Sequence, residues 1–222
     1  MSDLFDGGQL IGFQKTSMVD YPGKVAAVIF FPFCNMRCPW CHNGDLILNR
    51  GSETLIPLDE ALSHIGKRKS VLGGVVLSGG EASLYPRAAE LIAYIKKLGL
   101  PVKLDVNGTL PGVLEKILKT RETRPDYIAM DLKIAPARYA EIMADKGRSG
   151  IAASVERSAS LIRTSGIEHE FRSLRLPATY FTEADIAALR PLAGNSVWKF
   201  RGLARGNCLD PSWNYPNADT SV

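Results

Sequence analysis

The sequence predicts an α/β fold built on a parallel sheet, and three observations support this. Short apolar runs rich in β-branched residues recur along the 222 residues and alternate with segments of helical periodicity. The first run is apolar without a break, which is typical of a parallel strand buried on both faces. Polar clusters follow four of the runs, where α/β proteins build their sites. We expect one domain over residues 1–222, with a core of about 20–205.

Six strands are predicted in order. The first is the apolar run Val-Ala-Ala-Val-Ile-Phe-Phe at residues 25–31. The second ends in a glycine pair, the third at Asn-Gly, and the fifth is ended by Pro177. The remaining strands are residues 75–78, 102–106, 127–133, 170–176 and 197–200.

Helices are predicted between the strands from apolar residues three or four positions apart. In the first helix, Leu58, Leu62 and Ile65 fall on one face. Pro86 opens the second helix and Gly99 ends it, the usual asymmetry of helix ends. The tail at 211–222, rich in Pro, Asn and Ser, has no predicted order. The helices are residues 58–69, 86–98, 113–119, 138–144, 152–164 and 183–192.

Composition and charge narrow the function classes. Hydrophobic residues make up 45% and charged residues 23% of the chain, which is ordinary for a globular protein. The net charge of +4 is spread along the chain, so it gives little support for a nucleic-acid partner. No apolar run reaches the roughly 18 residues of a membrane span, and the N-terminus lacks the basic and apolar regions of an export signal. We expect a cytoplasmic protein with no membrane or nucleic-acid partner.

Three cysteines directly follow the first strand. Cys34, Cys38 and Cys41 have the spacing C-x3-C-x2-C, and in a reducing cytosol such clusters favour metal or redox chemistry over disulfides. Zinc needs a fourth ligand, and His42 beside Cys41 is poorly placed to supply it. The match to C-x-x-C-H, the c-type haem pattern, leaves Cys34 without a purpose. An iron–sulfur cluster with one iron open to a non-protein ligand remains.

The cysteine loop resembles that of the radical S-adenosylmethionine (SAM) superfamily, which also has an aromatic residue, here Trp40, before the last cysteine. Residues 16–25 and 41–43 resemble the activating proteins of anaerobic ribonucleoside-triphosphate reductase, a branch of the glycyl-radical-enzyme activases. The similarity runs from about residue 12 to residue 211. It implies a partial (β/α)6 barrel with parallel strands.

The resemblance also implies the cofactors and the reaction. Cys34, Cys38 and Cys41 would hold a [4Fe-4S] cluster whose fourth iron binds SAM. One electron, from a donor such as flavodoxin or ferredoxin, would cleave SAM at the cluster. The 5′-deoxyadenosyl radical would then remove a hydrogen from a glycine of the partner reductase. The protein itself would supply position and exclusion of water.

The second strand ends in Ser78, Gly79, Gly80 and Glu81. By themselves, the glycines fit a tight turn between strand and helix, since glycine adopts positive φ without a steric clash. Beside the cysteines, the segment resembles the Gly-Gly-Glu segment of the superfamily. That resemblance implies contact with the methionine end of SAM and a hydrogen bond to its amino group.

The third and fourth strands end in paired polar residues. Asp105 and Asn107 match the Asp-Thr-Asn-Gly segment that lies near SAM in the related activases, with Val106 in place of the threonine. The alternative for this segment is a hairpin turn at Asn-Gly. Asp131 and Lys133 are two residues apart, so they share a face of the strand. The resemblance assigns the SAM carboxylate to Lys133 and a nearby polar or cation-binding role to Asp131, whereas an exposed ion pair would carry no function.

Three further residues have two interpretations. Trp40 is either a core aromatic or, by the resemblance, the ring beside the adenine of SAM. Cys208 is expected to be a buried thiol outside the cluster. Arg172 lies in Arg-Ser-Leu where the family has Arg-Thr-Thr, so it is either a solvated charge or a contact to SAM or the partner.

Other functions stay open at this point. A pyruvate formate-lyase activase, or a small-molecule enzyme such as a 7-carboxy-7-deazaguanine synthase, would share the cysteine loop and the SAM contacts. A non-catalytic zinc or electron-transfer module would share the cysteines alone. Dependence of SAM cleavage on an added glycyl-radical protein separates these classes.

Overall fold

The computed structural model describes residues 8–50, 55–203 and 206–214. The predicted α/β class with a mostly parallel sheet is confirmed, and residues 215–222 of the predicted tail lie outside the described part. The strands are Leu10–Tyr21 (β1), Lys24–Phe31 (β2), Ile56–Pro57 (β3), Gly74–Gly79 (β4), Val102–Val106 (β5), Tyr127–Asp131 (β6), Glu168–Arg175 (β7) and Trp198–Gly202 (β8). The α-helices are Gly44–Ile47 (α1), Leu58–Arg68 (α2), Ala88–Lys97 (α3), Pro111–Leu118 (α4), Ile151–Thr164 (α5) and Glu183–Ala193 (α6).

The chain divides into two compact units. The first unit comprises Met1–Cys34, Asp45–Asp105 and Lys116–Tyr127. The second unit comprises Asn35–Gly44, Val106–Glu115 and Ile128–Val222. Each unit contains both strands and helices.

Strands of the first unit follow the order β3-β1-β2-β4-β5. β2 runs parallel to β4, with Ala26 opposite Gly74 and Phe31 opposite Gly79, and β4 runs parallel to β5. The apolar centre of β2, from Ala26 to Ile29, is fully buried, as its continuous hydrophobicity predicts. The β4 and β5 boundaries agree with the predicted strands to within one residue.

Two strands of the first unit were not predicted, and both are antiparallel. β1 pairs antiparallel with β2 and with the short β3, so two antiparallel strands are added at this side of the mostly parallel sheet. The pairing of β1 with β2 has register shifts on both sides of Ser17, and most of β1 is exposed or half-buried. A strand interrupted in this way lacks the regular alternation that would reveal it in the sequence.

Helices of the first unit cover the sheet with one apolar face each. α2 buries Leu58, Leu62 and Ile65, as predicted. α3 begins at Ala88 instead of Pro86, because Pro86 occupies a turn that the Ala88 N–H closes onto the Tyr85 carbonyl at 3.0 Å. Proline fixes φ equally well in such a turn and in a first helical turn, so the sequence alone does not separate them.

Strands of the second unit follow the order β6-β7-β8, and β7 runs parallel to β8. β6 ends at Asp131, two residues before the predicted end of this strand. The predicted helix at 138–144 is instead a 3-10 helix at Pro136–Ile142. α6 begins with a capping box in which Thr182 and Asp185 each accept a hydrogen bond from the other's backbone N–H.

Candidate cofactor site

The cysteine loop begins three residues after β2. Cys34 and Cys41 are half-buried, and Cys38 is 5% exposed. None of the four cysteines, all of which lie in the described part of the chain, forms a disulfide. Cys208 is buried, which agrees with the expected buried thiol. Burial raises the pKa of Cys208, with a smaller contribution from Cys41.

The glycine pair after β4 packs directly against the chain that leads into the loop. Gly80 donates its N–H to the Phe31 carbonyl at 2.9 Å, and Glu81 donates to the Phe33 carbonyl at 2.8 Å. A Cβ on Gly80 would lie 2.0 Å from the Phe33 oxygen and 3.0 Å from the Cys34 Cβ. Gly79 has φ of +107°. Both positions therefore need glycine, for close approach and for backbone conformation.

Glu81 is buried, with 1% exposed, and its carboxylate accepts a hydrogen bond from the Ser83 N–H at 3.1 Å. It also accepts from the Ser83 hydroxyl. These bonds cap the 3-10 helix Ala82–Leu84. In this structure the Glu81 side chain holds the turn after the glycines.

A buried ion pair lies at the end of β5. Lys103 is 1% exposed, and its ammonium group contacts one oxygen of Asp105. The other oxygen of Asp105 accepts a hydrogen bond from the Ser78 hydroxyl at 2.9 Å. The sequence analysis selected Ser78 and Asp105 but missed Lys103. The signal was available, since residues 103 and 105 share a face of the strand just as 131 and 133 do.

Asn107 holds the second residue of the cysteine loop. Its side-chain amide donates to Asn35 Oδ1 at 2.8 Å, and its oxygen accepts from the backbone N–H and the hydroxyl of Thr109. Asn35 in turn donates to the Thr109 hydroxyl at 2.7 Å. Asn107 and Thr109 are buried, so this three-residue network is shielded from water. Asn35 and Thr109 were missed by the sequence analysis.

An open cavity in the second unit brings together several predicted residues. Lys133 Nζ lies 3.2 Å from Asp131 Oδ2, and Arg172 Nε lies 2.9 Å from Asp131 Oδ1. Asp131 and Lys133 therefore point to the same side of the chain, as predicted, although β6 ends before Lys133. The cavity is lined by Trp40, Asp131, Leu132, Lys133, Arg172, Ser173, Leu174 and Arg201.

Charges in this cavity determine how Asp131 ionises. Burial alone would raise the pKa of Asp131, but the nearby Arg172 and Lys133 cations outweigh it and hold this pKa well below its usual range. The cavity lining therefore carries three basic side chains, Lys133, Arg172 and Arg201, against the one carboxylate of Asp131. A surplus of positive charge in a half-open cavity favours an anionic ligand group.

Trp40 belongs to an aromatic cluster beside the cavity. It is 3% exposed, and its ring centroid lies 5.3 Å from those of both Tyr180 and Trp213. Tyr180 and Trp213 also contact each other edge to face at 5.1 Å. Trp40 is thus buried among aromatic rings and lines the cavity as well, so its two predicted interpretations are compatible.

The described residues contain neither a site for a single metal ion nor a membrane-spanning helix. Across residues 8–50, 55–203 and 206–214, no three His, Cys, Asp or Glu side chains have the geometry to hold a single metal ion. A [4Fe-4S] cluster makes a different demand, because each cysteine binds a different iron. No helix in the same residues is long and apolar enough to cross a membrane.

The sequence pattern of the Radical SAM superfamily matches residues 28–180, and the chain belongs to this superfamily. Two curated relatives are more specific. The chain is 38% identical over 135 residues to a protein of Methanocaldococcus jannaschii that is named as a glycyl-radical enzyme activating enzyme; the match covers 60% of this chain and 53% of the relative. It is 30% identical over 148 residues to the pyruvate formate-lyase-activating enzyme of Clostridium pasteurianum, with coverages of 64% and 60%. The chain thus spans about half to three fifths of the length of these relatives.

A solved structure supports the fold. Methylornithine synthase superimposes with a TM-score of 0.62 at 16% identity, and the match covers 99% of this chain and 61% of the other chain. At this identity the likeness concerns the fold alone, and it agrees with the predicted partial barrel. Membership of the superfamily implies a [4Fe-4S] cluster and SAM as cofactors. The donor set fits, because three thiols outside any disulfide lie within eight residues of one another in a single loop.

Proposed function

We propose that this protein is a radical SAM activase that generates a glycyl radical on a partner enzyme. The observation that carries this proposal is the 38% identity over 135 residues to a glycyl-radical enzyme activating enzyme, together with the 30% identity over 148 residues to a pyruvate formate-lyase-activating enzyme. When bound, the cluster and SAM supply a one-electron cleavage and the hydrogen abstraction that follows it. The chain's own residues bind, orient and shield these cofactors.

The three cysteines of the loop bind the cluster. Cys34, Cys38 and Cys41 would hold the [4Fe-4S] cluster, which would supply the electron for SAM cleavage. The fit of the glycine pair under Phe33 and Cys34, and the network of Asn107 around Asn35, support a loop that is ordered before the cofactor arrives. Such preorganisation lowers the entropy lost on binding.

SAM binding falls to the remaining predicted residues. Lys133 and Arg172 attract the SAM carboxylate, with Asp131 fixing both cations, and Trp40 packs beside the adenine. Backbone groups of Gly79 and Gly80 face the methionine end. Four side chains that already bond to neighbours take part by holding these segments: Ser78, Glu81, Asp105 and Asn107.

Anaerobic ribonucleoside-triphosphate reductase is the proposed partner, with an electron donor such as flavodoxin or ferredoxin in the cytoplasm. The resemblance of residues 16–25 and 41–43 to the activases of this reductase supports the choice. A pyruvate formate-lyase is the second candidate, favoured by the 30% identity to its activating enzyme in Clostridium pasteurianum.

The experiment that tests the function is electron paramagnetic resonance on anaerobically reconstituted protein, reduced and mixed with SAM and either partner. We expect a glycyl-type doublet with the reductase and none with the lyase. The Cys38→Ala variant should lose both cluster iron and doublet, whereas Cys208→Ala should keep its iron content. A doublet with the lyase alone would move the assignment to the second candidate. SAM cleavage without a doublet from either partner would contradict the activase proposal.

A further inference from the structure

A segment far along the chain, residues 206–214, packs on the cysteine loop. The Leu209 N–H donates to the Cys41 carbonyl and the Asp210 N–H to the Pro39 carbonyl, both at 2.9 Å. These carbonyls belong to an irregular stretch, where backbone groups need partners from elsewhere in the chain. We call residues 206–214 the strap.

Close packing accompanies these hydrogen bonds. A Cβ on Gly44 would lie 3.1 Å from the Leu209 Cα, so the absence of a side chain at Gly44 lets the strap approach the end of the loop. His42 Nδ1 lies 3.1 Å from the Gly206 carbonyl oxygen. The strap therefore contacts the loop at four successive places, from residue 39 to residue 44.

The strap also carries Trp213, which packs against Trp40 and Tyr180. Tyr180 also contacts Arg138, whose guanidinium carbon lies 4.9 Å from the Tyr180 ring centroid. Arg138 in turn forms ion pairs with Asp185 and Glu141. Trp40 is thereby fixed between two rings, one of them anchored by this ion-pair network. Aromatic side chains restrained in this way lose little freedom when a ligand binds against them.

Hydrogen bonds within the strap keep Trp213 in position. The Cys208 N–H donates to Asn214 Oδ1 at 2.7 Å, and Asp210 Oδ1 accepts from the Ser212 N–H at 2.9 Å. The Trp213 N–H donates to the Asp210 carbonyl at 3.0 Å. Asp210 thus connects the backbone contact with Pro39 to the ring contact with Trp40.

We propose that the strap positions the cofactor loop for SAM: Leu209 and Asp210 fix the backbone between Pro39 and Cys41, and Trp213 fixes the Trp40 ring. This inference rests on the proposed function for the identity of the ligand. The contact of strap and loop itself does not depend on any ligand. Trp213 is a positioning residue, because it acts through Trp40.

The test compares Trp213→Ala, Trp213→Phe and, as a matched control, Pro211→Ala, which shortens an exposed side chain of the same segment. Two quantities are measured. The first is the labelling rate of Cys38 relative to Cys34 by a thiol reagent in metal-free protein. The second is the dissociation constant for SAM in reconstituted protein with matched iron content. Thermal unfolding of each variant is followed in parallel.

We expect Trp213→Ala to raise the relative labelling rate of Cys38 and the SAM dissociation constant by about 3- to 10-fold, the usual strength of an aromatic pair. Trp213→Phe should restore most of both, and Pro211→Ala should match the parent protein. A Trp213→Ala variant with unchanged labelling or unchanged SAM binding would overturn the inference. Equal acceleration at Cys34 and Cys38 would overturn it too, since the strap would then only stabilise the fold.

Failure of the proposed function has a different signature. In that case the parent protein still binds SAM but forms no glycyl doublet with either partner, and Trp213→Ala still weakens SAM binding and speeds Cys38 labelling relative to the parent protein. The labelling rates still decide whether the strap holds the loop. A relative Cys38 rate that rises in Trp213→Ala without a rise in the SAM dissociation constant would overturn the inference that the strap positions the loop for SAM.

Discussion

The predicted site residues of the two units differ in what their side chains do. In the first unit, Ser78, Glu81 and Asp105 are bonded to neighbouring side chains, and the glycine pair is packed against the start of the cysteine loop. In the second unit, Trp40, Asp131 and Lys133 line an open cavity. Under the proposed function, the first group would support the cofactor site and the second group would contact the ligand.

Two lysine–aspartate pairs, one in each unit, show this difference most clearly. Each pair lies two residues apart near the end of a strand, so local sequence gives both the same geometry. The Lys103 and Asp105 side chains are 2% and 14% exposed, whereas those of Lys133 and Asp131 are 20% and 35% exposed. Loss of one partner from a buried pair leaves an uncompensated charge and costs stability, whereas loss of a partner from a half-buried pair costs less because solvent screens the remaining charge.

Removal of the buried cation should have the largest effect. Lys103→Met keeps the volume but leaves the Asp105 carboxylate without its buried counter-charge, so we expect the free energy of unfolding to fall by about 3–5 kcal/mol. Urea unfolding followed by circular dichroism measures this. The control Lys97→Met changes an exposed lysine and should stay within about 0.5 kcal/mol.

The double variant Lys103→Met/Asp105→Asn tests the cause. Without the carboxylate charge, most of the lost stability should return, because the penalty comes from an uncompensated buried ion. A double variant as unstable as the single one would show that packing of the lysine chain, not its charge, matters, and would weaken the comparison.

Gly80→Ala should have the next largest effect. The added methyl group would lie 2.0 Å from a backbone oxygen, which cannot rotate away, so we expect a loss of about 1–3 kcal/mol. Gly112→Ala in α4 is the control, since nothing lies within 4 Å of its Cβ, and it should be neutral or stabilising. Thermal unfolding of both variants provides the measurement. An unaltered Gly80→Ala protein would mean that the turn adapts freely, contrary to a rigid scaffold.

The parts of the fold and site that could be predicted are those whose sequence pattern is local. The parallel strands and the polar residues at their ends follow from local apolar runs, so β2, β4 and β5 were found nearly to the residue. β1 was missed because its register shifts remove the alternating pattern. The burial of Lys103, the contact of Thr109 with Asn35 and that of Trp213 with Trp40 were missed because each depends on which distant segment lies against the side chain.

Lys133 should matter for the ligand more than for the fold. Lys133→Met leaves Asp131 paired with Arg172, so unfolding should change by less than about 1 kcal/mol. Loss of one charge-assisted contact to the SAM carboxylate should weaken SAM binding by about 10-fold or more. Isothermal titration of reconstituted protein measures the affinity, with the exposed Lys146→Met as control. Equal SAM affinity in both variants would contradict a ligand-facing role for Lys133.

The smallest expected effect is the contribution of Asp131 to the free energy of unfolding. The lowered pKa of Asp131 means that this contribution is stabilising at neutral pH and is lost in acid. Arg172 and Lys133 lower the pKa of Asp131 in the folded state, so its stabilisation is present above the unfolded pKa of about 3.9 and is lost as pH falls towards the lower folded value. The side chain is about one-third exposed, so solvent screening keeps the effect below about 1 kcal/mol.

Unfolding of Asp131→Asn and of the parent protein, compared from pH 7 to pH 2, measures this contribution. The two free energies should differ at pH 7 and approach each other as pH falls below about 3.9, where the carboxyl of the unfolded chain takes up a proton before the folded one does. A difference that persists unchanged at pH 2 would mean that the aspartate acts by packing. Convergence over several kcal/mol would place Asp131 in the same buried class as Asp105, and the contrast between the two units would then fail at this pair.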